Sequence, residues 1–274
     1  MKKFVSMRSW LLVFPAFLFL VLFFLIPLLY IFVESFISKG GFSFFHYQET
    51  FSDSAFRTIY FRSIKISFLV TLLAVALGYP SALVIAKMRP NKRAFIMSLI
   101  ILPLMVNSVA RTFAWFVIMG RFGLINQFLS SLSIINHPVK ILFTEQAIII
   151  GLLQLFFPLM VLPLVSALEN LPAGVEEAAR SLGASKSKAF FRIVFPLSTE
   201  GLVLGGTLVF TGSITAYTTP AILGGNKVLM LSTLLYQKSM VLFDWGGATV
   251  VSIVMLLTTI ALNRALHQFK PKYS

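Results

Sequence analysis

Side-chain chemistry needs nucleophiles, proton carriers or metal ligands held close together, and this sequence keeps its few candidates apart. It has 9 acidic residues, 3 histidines and no cysteine. His46, His137 and His267 stand far from one another and from any metal-ligand spacing, and neither His-Glu-x-x-His nor Gly-x-Ser-x-Gly occurs. A Gly-x-x-x-x-Gly-Lys-Ser/Thr loop is also missing, so the sequence does not predict nucleotide binding through a P-loop. The lack of cysteine removes disulfides, thiolate metal sites and cysteine nucleophiles together. The expectation is a non-catalytic chain with no cofactor and no metal.

What remains is a set of residues that could bind or steer a solute. Arg111 lies inside an apolar stretch, where a charge is costly. It reads either as a substrate-path or gating residue, or as an interfacial arginine that snorkels or pairs with a carboxylate such as Glu145. Glu49, Asp53, Glu145 and Asp244, with Trp115, Tyr217 and Trp245, would offer a cation carboxylates and aromatic faces. Pro220, followed by Gly224-Gly225, marks an outer turn and a second gate candidate. Glu200 reads as an interface residue.

The elements that must position these residues follow from composition. The chain has 274 residues, 58% hydrophobic, 14% aromatic and 12% charged, with a mean hydropathy of +0.90. Soluble domains carry about 25% charged residues, so the solvent that fits is a bilayer. Crossing its hydrocarbon core takes roughly 20 apolar residues per helix. Such stretches fall at about 10–34, 63–86, 94–119, 145–167, 197–219 and 245–266. The expected fold is all-α, a single six-span membrane domain over 1–274. Its first span is too long, and lacks the small-residue cleavage site, for a cleavable signal.

A formal net charge of +14 would point to nucleic acid in a soluble protein. In a polytopic one it sets topology, because Lys and Arg collect in short loops on the cytosolic side. An inside N-terminus places Lys2, Lys3, Arg8, Lys87, Arg89, Lys92, Arg93, Arg180, Lys186, Lys188, Arg192, Arg264, Lys270 and Lys272 there, 14 of 23 basic residues. Both termini are therefore expected inside, with outer segments at about 35–62, 120–144 and 220–244.

The connection at about 168–196 has a pattern of its own. A proline suited to a first helical turn, early Glu176 and Glu177, and Gly183 as a stop predict a capped helix over 169–183. Glu176 can pair with Arg180 at i, i+4. Val175, Ala178, Ala179 and Leu182 form one narrow apolar face. A second short helix is expected from about Ser185, ended by Pro196. On residue physics alone, this knob serves equally as a docking surface or as an amphipathic loop lying on anionic headgroups. In the fifth span Gly201 and Gly205 form a small-xxx-small pair for close helix packing, with the partner helix left open.

The same segment resembles the signature of binding-protein-dependent ABC importer permeases. Glu177-Ala178-Ala179, three residues, Gly183, nine residues and Ile193-Val194-Phe195-Pro196 match Glu-Ala-Ala, Gly and Ile-x-Leu-Pro at both spacings, with Phe195 in place of leucine. The resemblance implies a coupling loop in which Glu177, Ala178, Ala179, Gly183, Ile193 and Pro196 dock on an ATP-binding subunit. It also implies two ATPase copies, a second permease subunit and an external solute-binding protein.

Arg111-Thr112-Phe113-Ala114-Trp115, Gly123-Leu124-Ile125-Asn126 and Tyr217-Thr218-Thr219-Pro220-Ala221-Ile222-Leu223-Gly224-Gly225 resemble the spermidine/putrescine branch. That implies a polyamine solute and makes Arg111, Trp115, Tyr217 and Pro220 the path candidates. Iron, thiamine and phosphonate permeases are similar alternatives. The rival class, an ion-gradient-driven secondary transporter, should show inverted repeats or further midmembrane charges; the sequence shows neither.

Overall fold

The computed structural model describes residues 7–38, 41–172 and 174–268. The terminal lysines counted above, Lys2, Lys3, Lys270 and Lys272, lie outside them. The chain forms two compact units. One contains residues up to 57 together with 235–254, and the other contains 58–234 together with the residues after 254.

The first unit opens with helix α1, residues 7–34, which passes Pro27 through a π-helical turn at Val21–Leu25. None of its Val13–Glu34 window is buried within the chain. A short hairpin follows, β1 (Ile37–Ser38) paired antiparallel with β2 (Gly41–Phe42), and then α2 (Phe45–Ser52). Phe36 anchors this part. It stacks on Phe42 and Tyr47 and meets Phe32 and Phe44 edge-on.

The second unit carries most of the remaining long helices: α3 (Ser54–Ala86), α4 (Pro90–Met105), α5 (Ser108–Ile118), α6 (Leu124–Ser131), α7 (Glu145–Glu169), α8 (Val175–Ser181), α9 (Lys186–Thr215) and α10 (Thr218–Leu223). A helix α11 (residues 231–241) and α12 (Trp245–His267) complete the chain. Helices α3, α11 and α12 each run from one unit into the other.

Glycines set the packing of the second unit. A Cβ on Gly201 would lie 2.5 Å from the Pro163 carbonyl oxygen, and one on Gly205 would lie 2.9 Å from Met160 Sδ. The small-xxx-small pair therefore packs within the chain, against α7. Gly78 of α3 approaches Met160 from another helix, where a Cβ would sit 2.8 Å from its side chain. Met160 is fully buried between these glycines. Tyr79 of α3 reaches Ser198 of α9 through a buried 2.6 Å hydroxyl contact.

Among the described residues five helices are long and apolar enough to cross a membrane, and a sixth crossing is counted only if a bent pair is taken as one. That pair is α4 and α5. The stretch expected as one span over 94–119 breaks at Val106-Asn107 and bends by 94°. Val106 is extended, and the Asn107 side chain accepts from the N–H groups of Val109 and Ala110, which starts a new helix. Hydropathy has no term for such a cap, so a continuous apolar stretch hides the break.

The fifth span differs in the other direction. Instead of a second short helix ended by Pro196, α9 runs without interruption from Lys186 to Thr215. A π-helical turn at Phe190–Val194 precedes the proline, and Phe195 N–H donates to the Phe190 carbonyl five residues back. The widened turn accommodates the proline ring, so the helix continues.

Candidate coupling site and solute path

The connection between α7 and α9 holds one short helix. Gly174, in a left-handed conformation at φ +77°, turns the chain into α8 one turn later than the proline predicted. At the other end the chain closes in a Schellman motif. Gly183 N–H donates to the Arg180 carbonyl at 2.9 Å and Ala184 N–H to the Ala179 carbonyl at 3.1 Å. Gly183 sits at φ +88° with open space where a Cβ would stand. Its glycine is required by backbone conformation and not by crowding.

The apolar face of α8 divides in two. Ala179 is buried and Val175 half-buried, while Ala178 and Leu182 are exposed. Leu182, at the tip, is 90% exposed, which is an unfavourable place for a leucine unless another surface covers it. Glu177 is also exposed, on the rim of an open cleft lined by Arg180, Ser181, Gly183, Ala184, Ser185 and Lys186. Ile193 and Pro196 are half-buried on α9. Five of the six expected residues thus border solvent to some degree, and Ala179 is the inward anchor.

Two ion pairs tie α8 and the end of α7 to the region where α3 gives way to α4. Lys87 Nζ lies 3.0 Å from Glu176 Oε2, and Arg93 pairs with Glu169. Glu176 therefore pairs across the fold and not with Arg180. These contacts were not readable from sequence, because the partners are 76 and more residues apart. The basic run Lys87–Arg93 was the one available signal.

Of the path candidates, Arg111 lies at the break in the third stretch. Arg111 Nη1 donates to the Pro103 carbonyl at 2.7 Å, and Nη2 is buried with no hydrogen-bond partner among the described residues. The expected pairing with Glu145 is absent. Glu145 instead meets Arg62 at 3.4 Å and Lys65 at 2.5 Å. Arginine has chosen a backbone oxygen exposed by the break, which no sequence pattern announced.

Trp115 Nε1 donates to Gln154 Oε1 at 3.3 Å, joining α5 to α7. Thr112 and Thr219 meet at 3.5 Å between α5 and α10. Gly151 of α7 lets α10 approach, since a Cβ there would lie 2.7 Å from Thr219 and Leu223. Pro220 is buried in α10, whereas Tyr217 is 40% exposed at the joint between α9 and α10. Of the turn expected from Pro220 with Gly224-Gly225, Pro220 lies in a short helix and the glycines make the turn, Gly225 at φ +53°.

Other residues quoted above have structural positions. Asn126 is buried, donating to the carbonyls of Gly120 and Val139 and accepting from the Val139 N–H. It ties α6 to the following segment. Asp53 caps α3 through the Ala55 N–H. Burial alone would raise the Asp244 carboxyl, but hydrogen bonds from Lys238 and the Gly247 N–H outweigh it and hold the group below its ordinary value. Of the four carboxylates considered for a cation, Glu145 and Asp244 are thus neutralised by bases of this chain.

The comparisons agree with the motif and the fold. Residues 74–274 match the family described as "Binding-protein-dependent transport system inner membrane component". The chain is 34% identical over 240 residues to the "Spermidine/putrescine transport system permease protein PotB" of Haemophilus influenzae, covering 85% of this chain and 84% of that one. It is 32% identical over 251 residues to the protein of the same name from Escherichia coli, covering 89% and 91%.

A solved structure described as a bacterial alginate ABC transporter in complex with alginate pentasaccharide-bound periplasmic protein has a similar chain. The TM-score is 0.79 over 94% of this chain and 93% of that one, at 16% identity, which shows the fold. With residues 74–274 matched to the family and its sequence similar to permeases across most of its length, the chain belongs to the family of binding-protein-dependent transport system inner membrane components, the permeases of ABC importers.

Proposed function

We propose that this permease carries a polyamine, of the spermidine or putrescine class, across a bacterial inner membrane. The two permeases of that name, 34% and 32% identical over most of their length, support the solute class. The reading places both termini and the α8 connection on the cytosolic side, with six crossings in which α4 and α5 count as one. The basic residues at the ends of α3, α4, α8 and α9 support that orientation.

Power comes from two ATPase subunits, one of which docks on this chain at α8. Leu182 and Glu177 form the contact, Ala178 allows close approach, and Ala179 and Gly183 fix the helix end. Ile193 and Pro196 pass the movement into α9. A second permease completes the pathway, and the unburied apolar helix α1 supports such a partner. An external binding protein delivers the solute, and closure of the ATPases tilts α7 and α9 between inward- and outward-open arrangements. Arg111, Trp115, Tyr217 and Pro220 shape the outer part of the path. Since Glu145 and Asp244 are neutralised, the path does not attract cations by open carboxylates, and recognition falls mainly to the binding protein.

The observation that carries this reading is the exposed Glu177–Gly183 motif closed by its Schellman turn. The test is uptake of labelled spermidine into proteoliposomes containing the complete transporter. Uptake that needs ATP and binding protein, and is lost with Glu177→Lys, is the expected result. Uptake driven by a proton or sodium gradient without ATP would contradict it.

A further inference from the structure

We infer that the cleft between α3, α8 and the start of α9 is a binding site for an anionic phospholipid. The cleft, about 550 Å³, is lined by Leu83, Val84, Phe190, Phe191 and Val194, with Lys87 and Lys186 among its polar residues. That volume lies within the range of about 300–1,000 Å³ occupied by small-molecule sites. Its walls join two chemistries that a phospholipid also joins. One is an apolar floor and the other a pair of ammonium groups at its edge.

The apolar part opens onto the surface of the spans. Val84 is 61% and Phe191 66% exposed. Leu73 and Leu77 continue the same exposed stripe along α3 from Val84, at helical spacing, away from the lysines. An acyl chain lying along that stripe would cover side chains that the described residues leave 39–61% exposed. Lys87 and Val84 lie three residues apart on the same face, so headgroup and chain can be held by one helix.

The polar part favours an anion. Lys186 makes no ion pair among the described residues. Lys87 is held beside the cleft by Glu176 at 3.0 Å, yet its side chain is 67% exposed. An ammonium has three donors, so Glu176 orients Lys87 without exhausting it. Glu176 is the sole acid in the lining, and it is already engaged. Arg89, Lys92, Lys188 and Arg192 lie within a few residues of Lys87 or Lys186 in the sequence and add to the positive charge of the two connections. Basic pockets at the ends of membrane helices recognise anionic headgroups through this combination.

The ligand is thus a phospholipid with a net negative headgroup, such as phosphatidylglycerol, from the leaflet on the basic side of the spans. The site also makes the bilayer part of the coupling apparatus. A bound headgroup would bridge α3 to the N-terminal turn of α9, beside the Lys87–Glu176 contact that steadies α8. Zwitterionic lipid would occupy the apolar stripe without that bridge.

The experiment uses the complete transporter in nanodiscs of defined phosphatidylglycerol and phosphatidylcholine content, with bound lipid counted by native mass spectrometry. Wild type should retain phosphatidylglycerol over phosphatidylcholine. Lys186→Ala should weaken that preference about fivefold, since a basic residue near an anionic leaflet contributes about that factor. Phe191→Ser should weaken retention of both lipids. Excess inorganic phosphate should not compete, which separates a lipid site from a free-anion site. ATPase co-purification should persist in both variants, so a failed result is not mistaken for lost assembly. Equal retention of phosphatidylglycerol in wild type and Lys186→Ala overturns the inference. So does cross-linking of Val84→Cys to another protein chain in the assembled transporter, because that surface is then a protein contact.

Discussion

Arg111 Nη1 donates to the Pro103 carbonyl oxygen at 2.7 Å, across the 94° bend that divides the third apolar stretch. Pro103 lies in the last turn of α4, whose carbonyls have no partner within the helix. Asn107 caps the start of α5 on the other side of the same bend. The arginine satisfies one carbonyl at the end of α4 and the asparagine two N–H groups at the start of α5, groups that a bilayer would otherwise leave dry. A charge that looked like a path residue in the sequence is tied first to the backbone.

Arg111→Ala should therefore lower stability. A hydrogen bond from a charged group contributes about 1.5–3 kcal/mol, visible as a reduced melting midpoint of the purified protein in detergent. Arg111→Lys should recover part of it. A purely solute-contacting arginine would instead raise the KM for uptake and leave the midpoint unchanged.

Gly183→Ala should keep the fold and impair coupling. The space around Gly183 is open, so the cost comes from forcing a side chain into the left-handed region, about 1–2 kcal/mol at that turn. Gly183→Asn tolerates that region better and should restore more transport than Gly183→Ala. Paired measurements of ATPase rate and solute uptake would report the ordering. Equal uptake in the two variants would remove the conformational argument.

The Lys87–Glu176 pair should matter more for coupling than for stability. Exposed pairs contribute about 0–1 kcal/mol, so Lys87→Glu should hardly move the melting midpoint. It should reduce uptake per ATP hydrolysed by setting two carboxylates against each other beside α8. The double variant Lys87→Glu with Glu176→Lys restores the pair in reverse and should recover uptake. Failure of the swap to rescue would show that α8 is not steadied through this contact.

Glycine substitutions in α9 should differ sharply over a few positions. A Cβ at Gly201 meets the Pro163 backbone at 2.5 Å, while at Gly206 the nearest atom is Thr71 at 3.9 Å. Gly201→Ala should cost about 1–3 kcal/mol by overpacking α7. Gly206→Ala should be close to neutral. Thermal stability in detergent distinguishes them, and equal loss at both positions would contradict the packing described here.

Much of this was legible from residue type alone. Apolar length located the helices around 10–34, 63–86, 145–167 and 245–266, because bilayer thickness sets a minimum. Spacing alone picked out Gly183 as a helix stop, since a left-handed turn prefers glycine. What sequence concealed were features that depend on partners far along the chain. The bend at Asn107 arises from a local cap inside a continuous apolar run, and Pro196 stays helical because a π-turn absorbs it. Glu145 was within sequence reach of Arg111 as a carboxylate, but Arg62 and Lys65 reach it from α3. Spacing put Leu182 on one apolar face with Ala179, yet the fold buries Ala179 and leaves Leu182 90% exposed.

The proposed contact between the tip of α8 and an ATPase can be tested directly, because the sequence has no native cysteine. Leu182→Cys, introduced into the assembled transporter and treated with a short bifunctional thiol reagent, should cross-link to a cysteine placed on the ATPase surface. ATP binding should change the yield. No cross-link to the ATPase at any surface position, with ATP-dependent uptake intact, would contradict the account.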